Sequence, residues 1–363
     1  MLLVSTRLTY RCIVMNRLRM GNLCGTTQQK HNSTNTNNNH GSVSDSQPVV
    51  SSATQHVKKL DPKDYILSRL SNETIVKQSG TISGQSYDIE YCSSCVILIC
   101  DYTAQIQIDD CSDCVIYCGP CESSIFVRNC HNCRLITISQ QLRLRDCSNI
   151  GMLIYVSATQ PIIESCTDIQ ISGYDGNYFN LQKHFHITKL SLWNTEFSNV
   201  HDFTQNKNKL NWSYLPYNTK LIDFIPNIST IDEVDYINDR RQFVVPHTYG
   251  NRPKLYNQPY VIFIDVQYSD VVYKLLDKLY DTIQLNVVVL IRTREIKLSP
   301  QQYTILTNTK STSIQSVIAL EFDTKSLEFI TNAIQHVNNN DKIIVPSDII
   351  PAIDILFAPP SQI

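Results

Sequence analysis

Arg143 and Arg145 stand two residues apart in the stretch "QQLRLRDC", residues 140–147. The stretch alternates apolar and polar residues as a β-strand does, and residues two apart on a strand share one face. Two guanidinium groups on one face repel unless something else occupies it. Their planar fork of donors suits a carboxylate or a phosphate. The cysteines are the second group whose spacing could do chemistry. There are thirteen in 363 residues, eleven of them between Cys92 and Cys166, and Cys92/Cys95, Cys111/Cys114, Cys118/Cys121 and Cys130/Cys133 are C-x-x-C pairs. Such pairs are the usual cue for a zinc ribbon, and in a secreted chain for a disulfide framework.

A repeat supplies the elements that position both groups. Aligned on cysteine, "DIEYCSSCVILI", "QIDDCSDCVIYC", "FVRNCHNCRLIT", "RLRDCSNIGMLI" and "IIESCTDIQISG" place anchors at Cys92, Cys111, Cys130, Cys147 and Cys166, spaced 19, 19, 17 and 19 apart. A period near 19 with short strands and small turn residues suits one coil of a parallel β-helix, each coil stacking on the next at roughly 4.8 Å. Three residues before each anchor stand Ile89, Ile108, Val127, Leu144 and Ile163, an apolar ladder facing inward. Three residues after stand Cys95, Cys114, Cys133, Ile150 and Ile169. A position that accepts Cys or Ile is read as a small apolar core site, since a free cysteine behaves as a buried hydrophobe. No metal site is assigned, although zinc stays open, and stacked cysteines would lie within disulfide reach.

Two residues before each anchor stand Glu90, Asp109, Arg128, Arg145 and Glu164, a charged ladder facing outward. In this register Arg145 and Glu164 are neighbours one coil apart, and Arg143 lies diagonally across from Glu164. A surface ion pair explains part of this cluster, at about 0–1 kcal/mol. One acid cannot neutralise two arginines, however, and the coil from Cys130 to Cys147 is two residues shorter than its neighbours, which implies a tightened corner at "SQQ". The residues thus describe an anion-seeking arginine on a rigid platform.

Around the repeat, the chain divides into further regions. Lys+Arg 31 against Asp+Glu 33 leaves no basic excess for nucleic acid, and no apolar run approaches the roughly 20 residues that span a bilayer. The first 20 residues scatter four arginines where a signal peptide needs an apolar run, so a reduced compartment is expected. Residues 1–58 read as a leader whose Asn/Ser/Thr/Gln-rich part cannot bury enough surface to order itself. The β-helix region is assigned to 59–226 and a linker to 227–257. From 258 to 363, "YVIFIDV", "NVVVLIRT", "SVIALEF" and "KIIVP" read as buried strands alternating with helical patterns, a compact α/β domain.

The motifs "DPKDY", "IDDCSDCVI", "QQLRLRDC…ATQPIIES", "WNTEFSNVHDF" and "LNWSYLP" resemble the tubulin-cofactor-C-type domain family, over about Asp61 to Leu215. The resemblance implies a right-handed parallel β-helix followed by a ferredoxin-like, nucleoside-diphosphate-kinase-related domain. It further implies a GTPase-activating protein for an ADP-ribosylation-factor-like small GTPase, of type 3, in its GTP state. Arg143 matches the inserted arginine finger, and Gln140 belongs to the same catalytic patch. Gln141, Arg145 and Glu164 would bind the partner or orient the finger, with Glu164 orienting Arg143 and Arg145 completing the internal pair with Glu164. The chain would need no cofactor of its own, because GTP and magnesium are held by the GTPase; no GxxxxGK[ST] loop occurs here. A non-catalytic adaptor that binds a GTPase or tubulin is the alternative. In the C-terminal region the only histidine after His247 is His336, within a helical pattern, so that domain is read as non-catalytic.

Relatives in this family begin with Met-Gly and a nearby cysteine. Here Met20 opens "MGNLCG", which makes Met20 the expected working start, Gly21 the myristoylation candidate and Cys24 the palmitoylation candidate. One myristoyl chain binds membranes only marginally, so the second would matter. The expected location is the cytoplasmic face of the plasma membrane or the base of a cilium, or the cytoplasm.

Overall fold

The computed structural model describes residues 61–205, 210–231, 239–337 and 342–357. Gly21, Cys24 and the leader expected over 1–58 lie outside these residues.

The cysteine repeat folds as a parallel β-helix. Its strands are β1 (Ile66–Ser68), β2 (Thr74–Lys77), β3 (Tyr87–Glu90), β4 (Val96–Ile99), β5 (Ile106–Asp109), β6 (Val115–Arg128), β7 (Arg134–Arg145), β8 (Ser148–Val156), β9 (Ile162–Glu164), β10 (Thr167–Gly173), β11 (His201–Asp202) and β12 (Trp212–Tyr214). All pair in parallel. One ladder runs β1, β3, β5, the end of β6, the end of β7, β9 and β11. A second runs β2, β4, the start of β6, the start of β7, β8, β10 and β12. The stack therefore has seven coils, two beyond the five that carry anchor cysteines. The outermost coils escape the sequence register because Leu70 stands in the first where the five middle coils hold cysteine, and the last is separated from the sixth by a long insertion after Gly173 and has no cysteine.

The inward ladder Ile89, Ile108, Val127, Leu144 and Ile163 is at most 1% exposed. The cysteine columns are equally buried, and all eleven cysteines from Cys92 to Cys166 carry free thiols. Each anchor thiol donates to the carbonyl two residues earlier, as Cys111 does to Asp109 at 3.3 Å and Cys147 to Arg145 at 3.2 Å. Burial pushes the Cys92 thiol up to about 11 and Cys118 well above its ordinary range. These are packing residues: small, apolar enough for the interior, and able to satisfy a corner carbonyl. The polar pairs around them make the corners. The residue before each anchor (Tyr91, Asp110, Asn129, Asp146, Ser165) and the second after it (Ser94, Asp113, Asn132, Asn149, Asp168) have φ between 51° and 56°. Asp and Asn tolerate this left-handed conformation best among non-glycine residues, which explains their recurrence beside four of the five anchors; Cys92 has Tyr91 and Ser94 instead.

The shortened coil is also resolved. Register shifts between Cys118/Pro120 and between Cys121/Ser124 leave β6 one residue longer than β7 at each of two places. Only the second lies opposite the predicted corner at Gln140; the first falls at Gly119. A Cβ on Gly119 would sit 2.5 Å from the Asp101 carbonyl, so that bulge requires glycine.

The aromatic-rich stretch after Gly173 covers an outer face of the coils. The helix Leu181–Thr188 buries Leu181 and Phe185 against Tyr117, Ile136, Leu153 and Tyr155. Beneath it the fully buried Asp101 accepts hydrogen bonds from the backbone N–H groups of Gly80, Ile82, Ser83 and Tyr102, so its charge is satisfied locally.

The C-terminal residues form a four-stranded antiparallel sheet from β13 (Pro259–Asp265), β14 (Val288–Leu298), β15 (Gln315–Thr324) and β16 (Ile343–Ile344), in the order β14-β15-β13-β16. Helices Ser269–Gln284 and Leu327–Val337 pack on one face, and Pro300–Thr307 and Ile349–Leu356 on the other. Burial on both faces explains why its central strands read as continuous apolar runs. His336 is exposed on the helix Leu327–Val337 and bonds the Asn332 carbonyl at 2.7 Å. The sheet edge at β14 is laced to the preceding chain by Tyr249 and Gly250 N–H groups on the Leu290 and Ile291 carbonyls and by Thr293 Oγ1 on the Trp193 carbonyl.

Candidate functional site

The outward ladder stands as the repeat dictates. Glu90, Asp109, Arg128, Arg145 and Glu164 are consecutive register partners. The parallel column two residues earlier runs Asp88, Gln107, Phe126, Arg143, Ile162 and His201. Both columns face outward because their intervening residues, Leu144 among them, fill the core.

The three arginines of this face have different surroundings. Arg128 is held by both carboxylate oxygens of Asp109, with a third bond to Gln107 Oε1 at 2.9 Å. Arg145 lies 3.2 Å from Asp146. This corrects the expected internal pair: Arg145 and Glu164 are register neighbours, but the ion pair goes to the adjacent residue. Asp146, at a left-handed corner with φ 52°, presents the carboxylate that Arg145 reaches. Arg143 is exposed, lies between the uncharged Phe126 and Ile162, and among the described residues has no ion pair. The expected contact with Glu164 is absent as well: no ion pair joins Glu164 to Arg143 in this structure, so orientation of the finger by that acid is not a property of the chain alone. Both are exposed, and in water their long side chains gain too little from each other to hold one geometry.

Gln140 and Gln141 lie where β7 turns the corner before Arg143. The Gln140 carbonyl accepts from the Ala158 N–H at 3.2 Å, fixing the corner to the loop that precedes β9, while its side chain is half-buried. Gln141 Oε1 accepts from Ser124 Oγ at 3.3 Å across one coil step. The two glutamines thus have different roles: Gln141 ties coil to coil, and Gln140 borders the surface beside Arg143.

Sequence reasoning missed Phe203, which is 64% exposed just after β11 and packs edge-on to His201 at 4.5 Å. His201 pairs with Ile162, which pairs with Arg143, so this aromatic borders the arginine's column. "NVHDF" carried no cysteine to bring it into register, and only an unexplained exposed aromatic could have signalled it. An exposed guanidinium between apolar neighbours keeps its donors available to an anionic group of another molecule.

Residues 84–203 match the family described as Tubulin binding cofactor C. The chain is 38% identical over 247 residues to Protein XRP2 of Danio rerio, covering 67% of this chain and 65% of that protein. It is 44% identical over 200 residues to Protein XRP2 of Homo sapiens, the retinitis pigmentosa 2 protein, covering 54% of this chain and 57% of that protein. The chain thus spans somewhat less than two thirds of these relatives' own length. Among solved structures, tubulin binding cofactor C of Leishmania major is matched over 39% of this chain and 87% of its own at 24% identity, with a TM-score of 0.27.

Proposed function

From a chain that resembles the XRP2 proteins and carries a tubulin-cofactor-C-type domain, we propose a GTPase-activating protein for an ADP-ribosylation-factor-like small GTPase of type 3. Arg143 is the inserted arginine finger. The observation that supports this most is the contrast on one face: Arg128 and Arg145 are tied to acids of their own chain, and Arg143 is exposed with no ion pair among the described residues.

The GTPase holds GTP and magnesium. Its bound water attacks the γ-phosphorus, the bond from the γ-phosphorus to the β,γ-bridging oxygen breaks, and GDP and phosphate result. Charge grows on the bridging and γ-oxygens in the transition state. A guanidinium entering the pocket donates hydrogen bonds to those oxygens, worth roughly 10³–10⁵ in turnover for such fingers. The β-helix supports this by rigidity, because β7 is hydrogen-bonded on both sides and Leu144 is locked in the core between the two arginines. Gln140 borders the same pocket, and Glu164, unpaired with either arginine, is available to a cation on the GTPase.

In this reading Gly21 and Cys24 carry the acyl chains that hold the protein at the cytoplasmic face of the plasma membrane or at a cilium base, where GTPase turnover would control release of lipidated cargo. A non-catalytic adaptor that binds a GTPase or tubulin through the same face is the second reading, favoured by the description of the matching family. Single-turnover GTP hydrolysis across a panel of Arf-like GTPases separates the two: stimulation of one member by this chain is expected, and stimulation of none would remove the activator reading.

A further inference from the structure

We propose that Phe126 and Ile162 are positioning residues, which keep the Arg143 guanidinium free of its own chain so that it is ready for an anion on a docked protein. The proposal rests on the reading of Arg143 as the finger. In a parallel stack each side chain meets its register partners at roughly 4.8 Å on either side, so an acid there is within reach of an exposed arginine: Asp109 captures Arg128, whereas Arg145, beside Glu164, pairs with Asp146 instead. The two outward columns differ. In one, Asp109 precedes Arg128, and the pair closes bidentately at 2.8 and 2.6 Å. In the other, the nearest acid before Arg143 is Asp88, with Gln107 and Phe126 interposed. That is three coil steps, or roughly 14 Å, beyond the reach of an ion pair. Asp88 is instead bonded by Gln107 Nε2 at 3.4 Å.

Phe126 and Ile162 are both half-buried, one on each side of Arg143. An arginine's three methylenes rest favourably along apolar neighbours while the charged head stays in water. The arrangement therefore extends the stem and leaves the donors unsatisfied. An acid at position 126 would recreate beside Arg143 the geometry that already captures Arg128 one column away. It would also spend the finger's donors before the GTPase arrives.

The test is single-turnover stimulated hydrolysis by the full chain carrying Phe126→Glu, Phe126→Gln or Phe126→Leu, with GTPase titration to separate kcat from KM. Phe126→Glu is expected to lower kcat about fivefold, with partial recovery at high salt, where exposed pairs are screened. Phe126→Gln and Phe126→Leu are expected to keep kcat within about twofold, since neither supplies a charge. If Phe126→Glu unfolds, Ile162→Glu places the acid on the other side and carries the same expectation. Full kcat in a folded acid variant would overturn the proposal, as would an equal kcat loss in Phe126→Gln. Arg143→Ala run alongside distinguishes failures: retained stimulation there removes the finger reading itself, whereas its loss together with an active Phe126→Glu removes only the positioning role.

Discussion

Arg128 donates from Nε and Nη2 to both carboxylate oxygens of Asp109, at 2.8 and 2.6 Å, across one coil step of the β-helix. That closed pair makes Arg128 an internal surface strut, and it marks by contrast what Arg143 lacks. Arg128→Ala is therefore expected to leave stimulated GTP hydrolysis within about twofold of the parent. The stability cost should be no more than about 1 kcal/mol, because Arg128 is about half exposed and the pair is solvent-screened. Urea unfolding and single-turnover hydrolysis on the same preparation check both statements.

Phe203 is expected to act on binding and not on the chemical step. An aromatic 64% exposed at the edge of the arginine's column suits a contact that is buried only in a complex. Phe203→Ala should raise the KM for the GTPase roughly tenfold and leave kcat at saturation unchanged. A fall in kcat at saturation would place this residue in the chemistry instead.

The cysteine columns should behave as core. Cys133→Val is expected to cost under about 1.5 kcal/mol, since Ile150 and Ile169 occupy the same column. Leu144→Ala, at a position 1% exposed, should cost about 2–5 kcal/mol. Thermal unfolding with and without a zinc chelator completes the test, with no change of midpoint expected. A chelator-induced drop would assign the thiols a metal.

These elements divide by what the sequence could carry. The five cysteine coils, the inward ladder and the Arg145–Glu164 register were legible because the core repeats its chemistry at a fixed period. The first and last coils were not, since Leu70 replaces the anchor cysteine and a long insertion breaks the period. The partner of Arg145 was misassigned for a different reason. Register places backbones one coil apart, but an exposed side chain chooses among carboxylates within its own reach, and Arg145 pairs with Asp146 at 3.2 Å. Phe203 left no periodic trace, because an exposed aromatic after the last coil's first strand is no part of the pattern that builds the core.

His184 should give the fold a measurable acid sensitivity. It is 1% exposed, shares Nδ1 with Tyr178 Oη at 2.7 Å and Nε2 with Ser79 Oγ at 3.0 Å, and burial pulls its pKa down to about 4 against the opposing pull of Asp101. Unfolded histidine titrates near 6.5. Between these values the unfolded chain binds the extra proton, so stability is full above about pH 6.5 and falls as pH drops toward 4. Urea midpoints measured from pH 7 to 4.5 should decline less steeply in His184→Gln than in the parent. Equal slopes would show that the imidazole is not held neutral by the fold.

The central claim is that Arg143 supplies its charge to another protein's nucleotide. The most direct measurement is Arg143→Ala assayed for stimulated hydrolysis and for binding to the GTP-loaded GTPase in one titration. The account predicts that stimulation falls by about 10³-fold or more, while the dissociation constant moves by less than about fivefold. Stimulation retained in Arg143→Ala, with binding intact, would contradict it.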